Sequence, residues 1–334
     1  MFVSADMLKL TTRRGRAYML RYLVNYPRAV LRIVNLIRRE RVDLVHTNTL
    51  HNLYGFAAAA LTRRPHLWHV REIVMQSPLF RSVETFLAKH FSDRLIVTSE
   101  AVAEMFAMRR GLPAHLRRIP NSIDLREFHP RNDGGGVRAE LGIPAEAPLL
   151  GLVCRLDHWK GVDTFIRAAA LCAEECPGAH FVVVGGPVEG REEYAGEMRQ
   201  LASDLGLEGR LHFTGWRYSA GDMPQVHAAL DVLVLASSWP EPFGLVLLEG
   251  MATGKPVVAT NHGGPREICA DGETGLLVPP RDPRAMADAL LTLLRDPARA
   301  SAMGQAGRRR AENLFDRERC IRQLEQLYEE VLAT

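Results

Sequence analysis

At 334 residues the chain is long enough for two domains, and its 47% hydrophobic and 24% charged residues are typical of a globular protein. The formal net charge of +3 is small for this length, which argues against nucleic acid as a partner. No run of eighteen apolar residues occurs, so we expect no membrane-spanning helix, and the first residues do not have the pattern of a signal peptide.

The first 41 residues are predicted to be helical and basic, with nine arginines among Leu, Val, Ile and Tyr. Pro27 is predicted to divide this segment into two helices, because a proline inside a helix removes a hydrogen bond and clashes with the preceding turn. One interpretation is an outer helix with a solvated basic face. The alternative is a helix that lies on a membrane surface, which would make the protein peripheral to the membrane through residues 1–41.

Strands alternate with helices from residue 42 onward. In the first half the apolar runs predict strands at 42–48, 66–70, 94–99 and 116–121 and helices at 52–63, 80–91 and 100–110. In the second half they predict strands at 149–154, 180–185, 210–215, 231–236, 256–260 and 274–278 and helices at 162–175, 192–205, 223–230 and 245–253. A further helix is predicted to begin at Asp282 and Pro283, and the chain is predicted to be helical from residue 298 to its end.

This alternation predicts parallel sheets with right-handed crossovers in both halves. A stretch rich in Pro, Gly, Asn and Asp separates the halves and marks a boundary. We therefore predict an α/β protein with two Rossmann-like domains facing each other across a cleft: an N-terminal domain at 1–125, a linker at 126–147, a C-terminal domain at 148–315, and a C-terminal helix at 316–334 that packs back toward the N-terminal domain. Ligands of such sheets bind beyond the carboxyl ends of the strands.

The stretch from Glu241 to Lys255 lies between two predicted strands and places Glu241 and Glu249 on either side of a helix start at Gly244. The N-terminus of a helix has unpaired N–H groups and partial positive charge, so it suits an anion such as a pyrophosphate. Because a helix rises about 1.5 Å per residue, Glu249 lies roughly 7 Å further along, within reach of ribose hydroxyls.

Two cations, Arg155 and Lys160, follow the predicted strand 149–154 in one loop. An arginine and a lysine at this spacing can converge on one diphosphate. Basic loops are usually solvated, so the pair indicates a phosphate site only together with the helix start at Gly244.

These segments resemble the retaining glycosyltransferases of the two-domain GT-B type, the group 1 family with a Glu-x7-Glu motif. The resemblance is carried by RLDHWKG at 155–161, FTGW at 213–216, EPFG at 241–244 with Glu249, GGP at 263–265 with Glu267, and GETGLLV at 272–278. PNSID at 120–124 resembles the end of the family's first domain. The resemblance implies transfer of a sugar from a nucleotide-diphosphate sugar to the hydroxyl of a polysaccharide, lipid-linked or small-molecule acceptor, with retention of configuration, as in polysaccharide biosynthesis.

On the donor side the resemblance implies that Arg155 and Lys160 neutralise the pyrophosphate and that Glu241 orients the transferred sugar or stabilises positive charge at its anomeric carbon. Glu249 would bind the ribose, although an exposed helix acid is the alternative. The segment that would face the phosphate is Phe243, Gly244, Leu245 and Val246. Trp216 and Arg217 would lie beside the base, although the tryptophan could instead be a core aromatic. Asn121 of the PNSID segment would also bind the donor.

On the acceptor side the family often has a histidine just after a strand. Here WHVRE at 68–72 leaves His69, Arg71 and Glu72 open, and His46 also ends a predicted strand. A structural, hydrogen-bonded histidine is an equal alternative. Family members begin with a strand and a glycine-rich turn that this sequence does not show before Val42, so we expect an incomplete N-terminal domain of about four strands.

No cofactor and no metal are expected. The chain has no Asp-x-Asp sequence, and the charges of Arg155 and Lys160 can do the electrostatic work of a metal ion. Its five scattered cysteines are typical of reduced thiols in the cytoplasm, and Cys172 and Cys176, on one helix face, are expected to be buried rather than to hold a metal. Two alternatives stay open: a nucleotide-sugar epimerase of the same architecture, and a non-catalytic protein that binds nucleotide sugars or membrane surfaces.

Overall fold

Helices and strands alternate throughout the computed structural model, which describes residues 16–75, 77–107 and 111–333, with side chains from residue 24 onward. The helices are α1 Arg16–Arg39, α2 Tyr54–Thr62, α3 Pro78–His90, α4 Glu100–Ala103, α5 Gly135–Glu140, α6 Val162–Glu175, α7 Glu192–Asp204, α8 Met223–Ala229, α9 Leu245–Ala252, α10 Pro265–Ile268, α11 Pro283–Arg295, α12 Pro297–Leu314 and α13 Arg317–Leu332. The strands are β1 Val45–Thr47, β2 His66–Val70, β3 Arg94–Val97, β4 Leu116–Arg118, β5 Leu149–Val153, β6 His180–Val184, β7 Leu211–Gly215, β8 Val232–Leu235, β9 Val257–Thr260 and β10 Gly275–Val278.

The chain divides into two compact units, each built on a parallel sheet. The first unit comprises residues up to Pro120 together with those from Cys320 onward, and the second comprises Asn121–Arg319. The two Rossmann-like α/β domains predicted from the alternation of strands and helices are thus present. Within the described residues no helix has both the length and the apolar composition needed to cross a membrane.

The sheet of the first unit has four strands in the order β1-β2-β3-β4, all parallel. Both of its faces are buried, as is usual for a parallel sheet. Leu67 and Ile96 pack on one face with Leu327 and Val331 of α13. Residues of the same two strands pack on the other face with Leu50 and Phe106, among them Trp68, Val70, Leu95 and Val97.

Helix α1 is continuous through Pro27, so the prediction that this proline divides it was wrong. The residues on both sides of Pro27 pack against one partner helix. Tyr26 stacks on Tyr54 with ring centroids 5.0 Å apart and donates its hydroxyl to the carbonyl of Leu53 at 2.7 Å, while Ala29 and Val30 are buried beside α2. This packing offsets the lost hydrogen bond, which is how tertiary contacts override local propensity. Residues 1–15 of the predicted helical segment lie outside the described residues.

The segment at 126–147, predicted to be a linker, lies within the second unit. It contains α5, and its Val137 and Ile143 are buried in the core of that unit. Arg138 ties it down by donating to the carbonyl of Ala229 at 2.9 Å and pairing with Asp231 at 2.7 Å. A glycine-rich composition interrupts the helical periodicity of a sequence, but it does not prevent the segment from packing against a domain. For this reason the segment predicted to be a linker is part of the second unit.

The sheet of the second unit has six parallel strands in the order β10-β9-β8-β5-β6-β7. The chain builds outward from β5 in one direction through β6 and β7, and then in the other through β8, β9 and β10. The direction therefore reverses between β5 and β8, which are hydrogen-bonded neighbours. Ligands of doubly wound sheets bind at such a switch point, beyond the carboxyl ends of the strands.

Candidate functional site

Two loops meet at the switch point of the second unit, one following β5 and the other following β8. Gly161 ends the first loop with φ +67°, and a Cβ at this position would lie 1.9 Å from the carbonyl oxygen of Ala236. The N–H of Ser238 donates to the carbonyl of Trp159 at 2.8 Å. Only glycine allows this approach, so the sequence of the first loop permits its residues to reach those of the second.

Lys160 and Glu241, both predicted to be catalytic, form an ion pair across these loops. Nζ of Lys160 lies 2.8 Å from Oε2 of Glu241, and the two side chains are only 17% and 11% exposed. The same oxygen accepts a hydrogen bond of 2.7 Å from the hydroxyl of Ser237. Lys160 Nζ also lies 4.0 Å from the ring centroid of Trp159, a cation–π contact that fixes it further. Ser237 was not among the residues predicted from the sequence, where its only signal is its position two residues after β8.

The loop after β9 closes the site from the other side. The N–H of Gly264 donates to the carbonyl of Glu241 at 2.8 Å, and the N–H of Glu241 donates to the carbonyl of His262 at 3.3 Å. A Cβ on Gly263, which has φ +80°, would lie 2.3 Å from the oxygen of Glu241, and one on Gly264 would lie 2.5 Å from Phe243. The two glycines of the GGP segment are therefore required for the backbone of Glu241 to be held in place.

Helix α9 begins and ends at glycines, as predicted. Gly244 precedes it with φ +105°, and Gly254 follows it with φ +73° in a Schellman arrangement, where the N–H of Lys255 donates to the carbonyl of Gly250 at 2.9 Å. No side chain caps the N-terminus, and the N–H of Leu247 donates to the carbonyl of Gly244 at 2.9 Å, which among the described residues leaves the N–H groups of Leu245 and Val246 for an anion. Leu245 is exposed and Val246 half-buried at this turn.

Phe243 is buried and packs edge-on against Phe315 with ring centroids 6.0 Å apart. The structure therefore places the side chain of this predicted donor-binding residue in the core of the second unit. Its contribution to the site is to anchor the turn that leads into α9.

Glu249 is held by a histidine that was not among the residues predicted from the sequence. Its Oε2 lies 2.8 Å from Nε2 of His227, which α8 supplies and which is fully buried. Nδ1 of His227 has no hydrogen-bond partner among the described residues. The signal for His227 in the sequence was weak, because a histidine inside an apolar helix is usually structural. Its bond orients the carboxylate while leaving it 23% exposed.

The other predicted donor-side residues make no hydrogen bond or ion pair with Glu241 or Glu249 in the described part of the chain. Arg155 is exposed after β5, and the described part of the chain contains no ion pair or hydrogen bond from its side chain. Trp216 directly follows β7, is 61% exposed and donates its Nε1–H to the carbonyl of Pro187 at 3.1 Å, so it is not a core residue. Arg217 pairs with Glu140. Oδ1 of Asn121 is buried and has no hydrogen-bond partner among the described residues.

In the first unit, His46 and His69 stack on each other with ring centroids 5.4 Å apart. Nδ1 of His46 lies 2.6 Å from the hydroxyl of Tyr328 on α13. His69 is buried, and neither of its ring nitrogens has a partner among the described residues. Burial, with the charge of Arg71, lowers the pKa of His46 to about 4 and that of His69 to about 3, so both rings are neutral at pH 7. A neutral imidazole can accept a proton or a hydrogen bond.

Arg71 and Glu72 differ in their surroundings. Arg71 is exposed, whereas Glu72 accepts a hydrogen bond of 2.5 Å from the backbone N–H of Leu50 and another from the hydroxyl of Thr49. Glu72 therefore holds the loop that follows β1. Within residues 16–75, 77–107 and 111–333, no group of three or more His, Cys, Asp or Glu side chains comes together in a way that could hold a metal ion.

Two family descriptions match the chain. The one named "Glycosyl transferases group 1" matches residues 137–310, and the one named "Glycosyltransferase Family 4" matches residues 9–127.

Curated relatives include enzymes named D-inositol 3-phosphate glycosyltransferase. That of Kineococcus radiotolerans is 36% identical over 84% of this chain and 65% of its own length. That of Corynebacterium glutamicum is 31% identical over 90% and 76%, and that of Corynebacterium urealyticum is 35% identical over 71% and 56%. The chain thus spans between about half and three quarters of these relatives.

Solved structures are also similar. HepE of Anabaena in complex with UDP-glucose superposes with a TM-score of 0.83 at 30% identity, over 90% of this chain and 82% of that protein. Sucrose-phosphate synthase of Thermosynechococcus elongatus superposes with a TM-score of 0.79 at 30% identity, over 98% of this chain and 82% of that protein.

Proposed function

Because the chain belongs to the group 1 glycosyl transferases, a family of the GT-B type, we propose that it moves a sugar from a nucleotide-diphosphate sugar to an acceptor hydroxyl with retention of configuration. One observation carries the proposal. Helix α9 begins at Gly244 between two oriented carboxylates, Glu241 held by Lys160 and Glu249 held by His227. This arrangement offers an anion site between a sugar-side acid and a ribose-side acid.

In the proposed reaction, the bond between the anomeric carbon and the diphosphate oxygen breaks, and a bond to the acceptor oxygen forms on the same face of the sugar. The nucleoside diphosphate leaves with the bonding electron pair, and its departing oxygen takes the proton that the acceptor hydroxyl loses. Lys160 has three N–H donors, so it can keep its bond to Glu241 while it donates to the diphosphate. Glu241 accepts bonds from Lys160 and Ser237 through Oε2, which suits stabilisation of developing positive charge rather than nucleophilic attack.

We propose a UDP-hexose as the donor, since HepE of Anabaena was solved with UDP-glucose and is 30% identical to this chain. Exposed Arg155 is proposed to add a second cation at the diphosphate, and Trp216, which is exposed directly after β7, to offer a surface for the base. The charges of Arg155 and Lys160 support transfer without a metal ion.

We propose that the neutral histidines of the first unit, His46 and His69, bind the acceptor. Their ring nitrogens that have no partner among the described residues can accept a hydrogen bond from a hydroxyl group. D-inositol 3-phosphate is the first acceptor to test, because several relatives are named for it. Polysaccharide and lipid-linked acceptors follow from the resemblance alone.

A cytoplasmic protein that binds peripherally to the membrane is also part of the proposal. On the exposed side of α1, Val24 and Leu31 are 56% and 57% exposed next to exposed Arg28 and Arg32. Such a surface fits the boundary between lipid headgroups and acyl chains. Co-sedimentation with anionic vesicles should fall when Arg28 and Arg32 are both changed to Gln, and equal sedimentation of the two forms would dispose of this part.

Donor binding and turnover test the main proposal. We expect UDP to bind by calorimetry and UDP-glucose to be consumed in the presence of acceptor, with a large loss of turnover in Lys160→Ala and Glu249→Ala. Glu197→Ala, which removes an exposed acid of α7, is the matched control and should retain turnover. Unchanged turnover in both Lys160→Ala and Glu249→Ala would contradict the proposal. An altered sugar nucleotide formed without acceptor would indicate an epimerase, and binding without any turnover a non-catalytic protein.

A further inference from the structure

A cavity of about 380 Å³ lies in the second unit apart from the donor residues described above. Its walls come from the segments that follow β5, β8 and β10 and from the first turns of α6 and α11. The lining side chains that matter for its chemistry are His158, Thr164, Arg167, Ser238, Trp239 and Arg281. None of the residues assigned above to the donor lines it.

The cavity is rich in positive charge. Arg167 and Arg281 come from different segments and are both exposed, and the described part of the chain provides no ion pair for either of them. Two guanidinium groups that line one cavity from separate segments can both pair with an oxyanion, and phosphate is an anion that arginine binds well. Only one acidic residue, Asp163, is among the lining residues.

The wall formed by α6 strengthens the preference for an anion. This helix has 14 residues and begins after Gly161 without a side-chain cap, so its first N–H groups and its positive end are available. Thr164, in the first turn, lines the cavity while its residue is only 3% exposed. No hydrogen bond of its hydroxyl is found among the described residues, so the hydroxyl can bond to a ligand in the cavity.

Two features indicate that the anion is attached to a sugar. Trp239 is 41% exposed at the cavity, and a flat aromatic surface of this kind packs well against the apolar face of a sugar ring. The carboxylate of Asp163 can accept hydrogen bonds from sugar hydroxyls but not from a phosphate dianion.

Arg281 is held in a backbone conformation that disfavours it. Its φ is +59°, in the left-handed region where glycine is preferred. Glycine at this position would relieve the strain but remove the charge from the cavity.

We infer that this cavity binds a phosphorylated sugar, with the phosphate between Arg167 and Arg281 and the sugar ring against Trp239. The inference does not depend on the proposed transfer reaction, because the two sets of residues do not overlap. A chain that transfers no sugar can still show this binding, so the two ideas fail separately.

The test is calorimetry on the full chain with glucose 6-phosphate, inorganic phosphate and glucose, without donor or acceptor. We expect saturable binding of glucose 6-phosphate, at least tenfold weaker binding of glucose, and weaker binding of inorganic phosphate. The affinity for glucose 6-phosphate should fall at least tenfold in Arg167→Gln and in Arg281→Gly, which suits the backbone at that position and so should stay folded. The control Arg309→Gln removes an exposed arginine of α12 and should change nothing, and UDP affinity should be unchanged in all variants.

Equal affinity for glucose 6-phosphate in the wild type and both arginine variants would overturn the site, as would the absence of saturable binding to the wild type. Inorganic phosphate that binds as tightly as glucose 6-phosphate would overturn the assignment to a sugar. A parallel loss of UDP affinity in the arginine variants would show that the cavity is not separate from the donor site.

Discussion

Nζ of Lys160 lies 2.8 Å from Oε2 of Glu241, although the two residues are 81 positions apart in the chain. The pair is mostly buried, and Ser237 and Trp159 contact the same two groups. A buried charge that loses its partner is strongly destabilising, whereas a hydrophobic replacement of both partners is often tolerated. The pair therefore links the stability of the second unit to the chemistry proposed for it.

Replacing Lys160 by Met should lower the free energy of unfolding by about 3 kcal/mol, because Glu241 is left buried and uncompensated. Changing Glu241 to Gln in the same chain should recover most of that loss. Turnover of the donor should be reduced roughly a hundredfold or more in both chains, since the charge that stabilises the leaving group is absent. Urea unfolding and initial rates measure the two effects. A double variant that is as unstable as Lys160→Met would contradict the coupling.

Replacing His227 by Phe should weaken UDP binding about tenfold, because the carboxylate of Glu249 loses a hydrogen bond of the charged kind, worth about 1.5 to 3 kcal/mol. The distance between Nε2 of His227 and Oε2 of Glu249 is 2.8 Å. Titration of UDP by calorimetry gives the affinity. His180→Gln is a suitable control, because His180 begins β6, which lies two strands away from β8 in the sheet. Equal UDP affinity in His227→Phe and the control would show that His227 does not position Glu249.

Comparing Gly263→Ala with Gly209→Ala separates the cost of a left-handed backbone conformation from the cost of a steric clash. Both positions have positive φ, +80° and +74°, so both substitutions should cost about 1 kcal/mol of stability. A Cβ at 263 would lie 2.3 Å from the oxygen of Glu241, whereas one at 209 meets no atom within 4 Å. Only Gly263→Ala should therefore displace Glu241, with a further loss of stability and a loss of turnover of at least tenfold. If both variants kept full turnover, the close approach would have no functional role.

Stability should fall in mild acid because of His69. Burial, together with Arg71 and His46, lowers the pKa of His69 to about 3, against 6.5 in the unfolded chain. Between these two values the unfolded chain binds one more proton, so the free energy of unfolding is at its full value above pH 6.5 and decreases as the pH falls toward 3. At pH 5 the loss amounts to about 2 kcal/mol for this residue.

In His69→Phe the difference in unfolding free energy between pH 7 and pH 5 should shrink by that amount. Urea unfolding at the two pH values measures it, and His90→Gln, which changes an exposed histidine of α3, is the control. A pH dependence that is the same in His69→Phe and in the wild type would mean that His69 is not held neutral in the folded protein.

Much of the fold followed from local patterns. Helix α6 and strand β2 have the predicted bounds, and Asp282 caps α11 by accepting from the N–H of Ala285 at 2.9 Å. These features depend on side-chain periodicity and on capping residues within a few positions, which the sequence displays directly. The interpretation of Pro27 was wrong because its outcome depends on Tyr54, which packs on α1 from a different helix.

In the candidate site, too, some features follow from local sequence and others depend on tertiary contacts. The sequence by itself determined that Glu241 and Glu249 flank a helix start, because two glycines and two strands bound that short stretch. Only the tertiary structure decided which groups hold them: Ser237 and Lys160 for the first, and His227 for the second. It also brought Tyr328 to His46 across 282 positions of the chain. Such contacts depend on strand order and helix packing, which local periodicity does not encode, so Glu249 changed from a helix acid of uncertain role to a carboxylate oriented by a buried histidine.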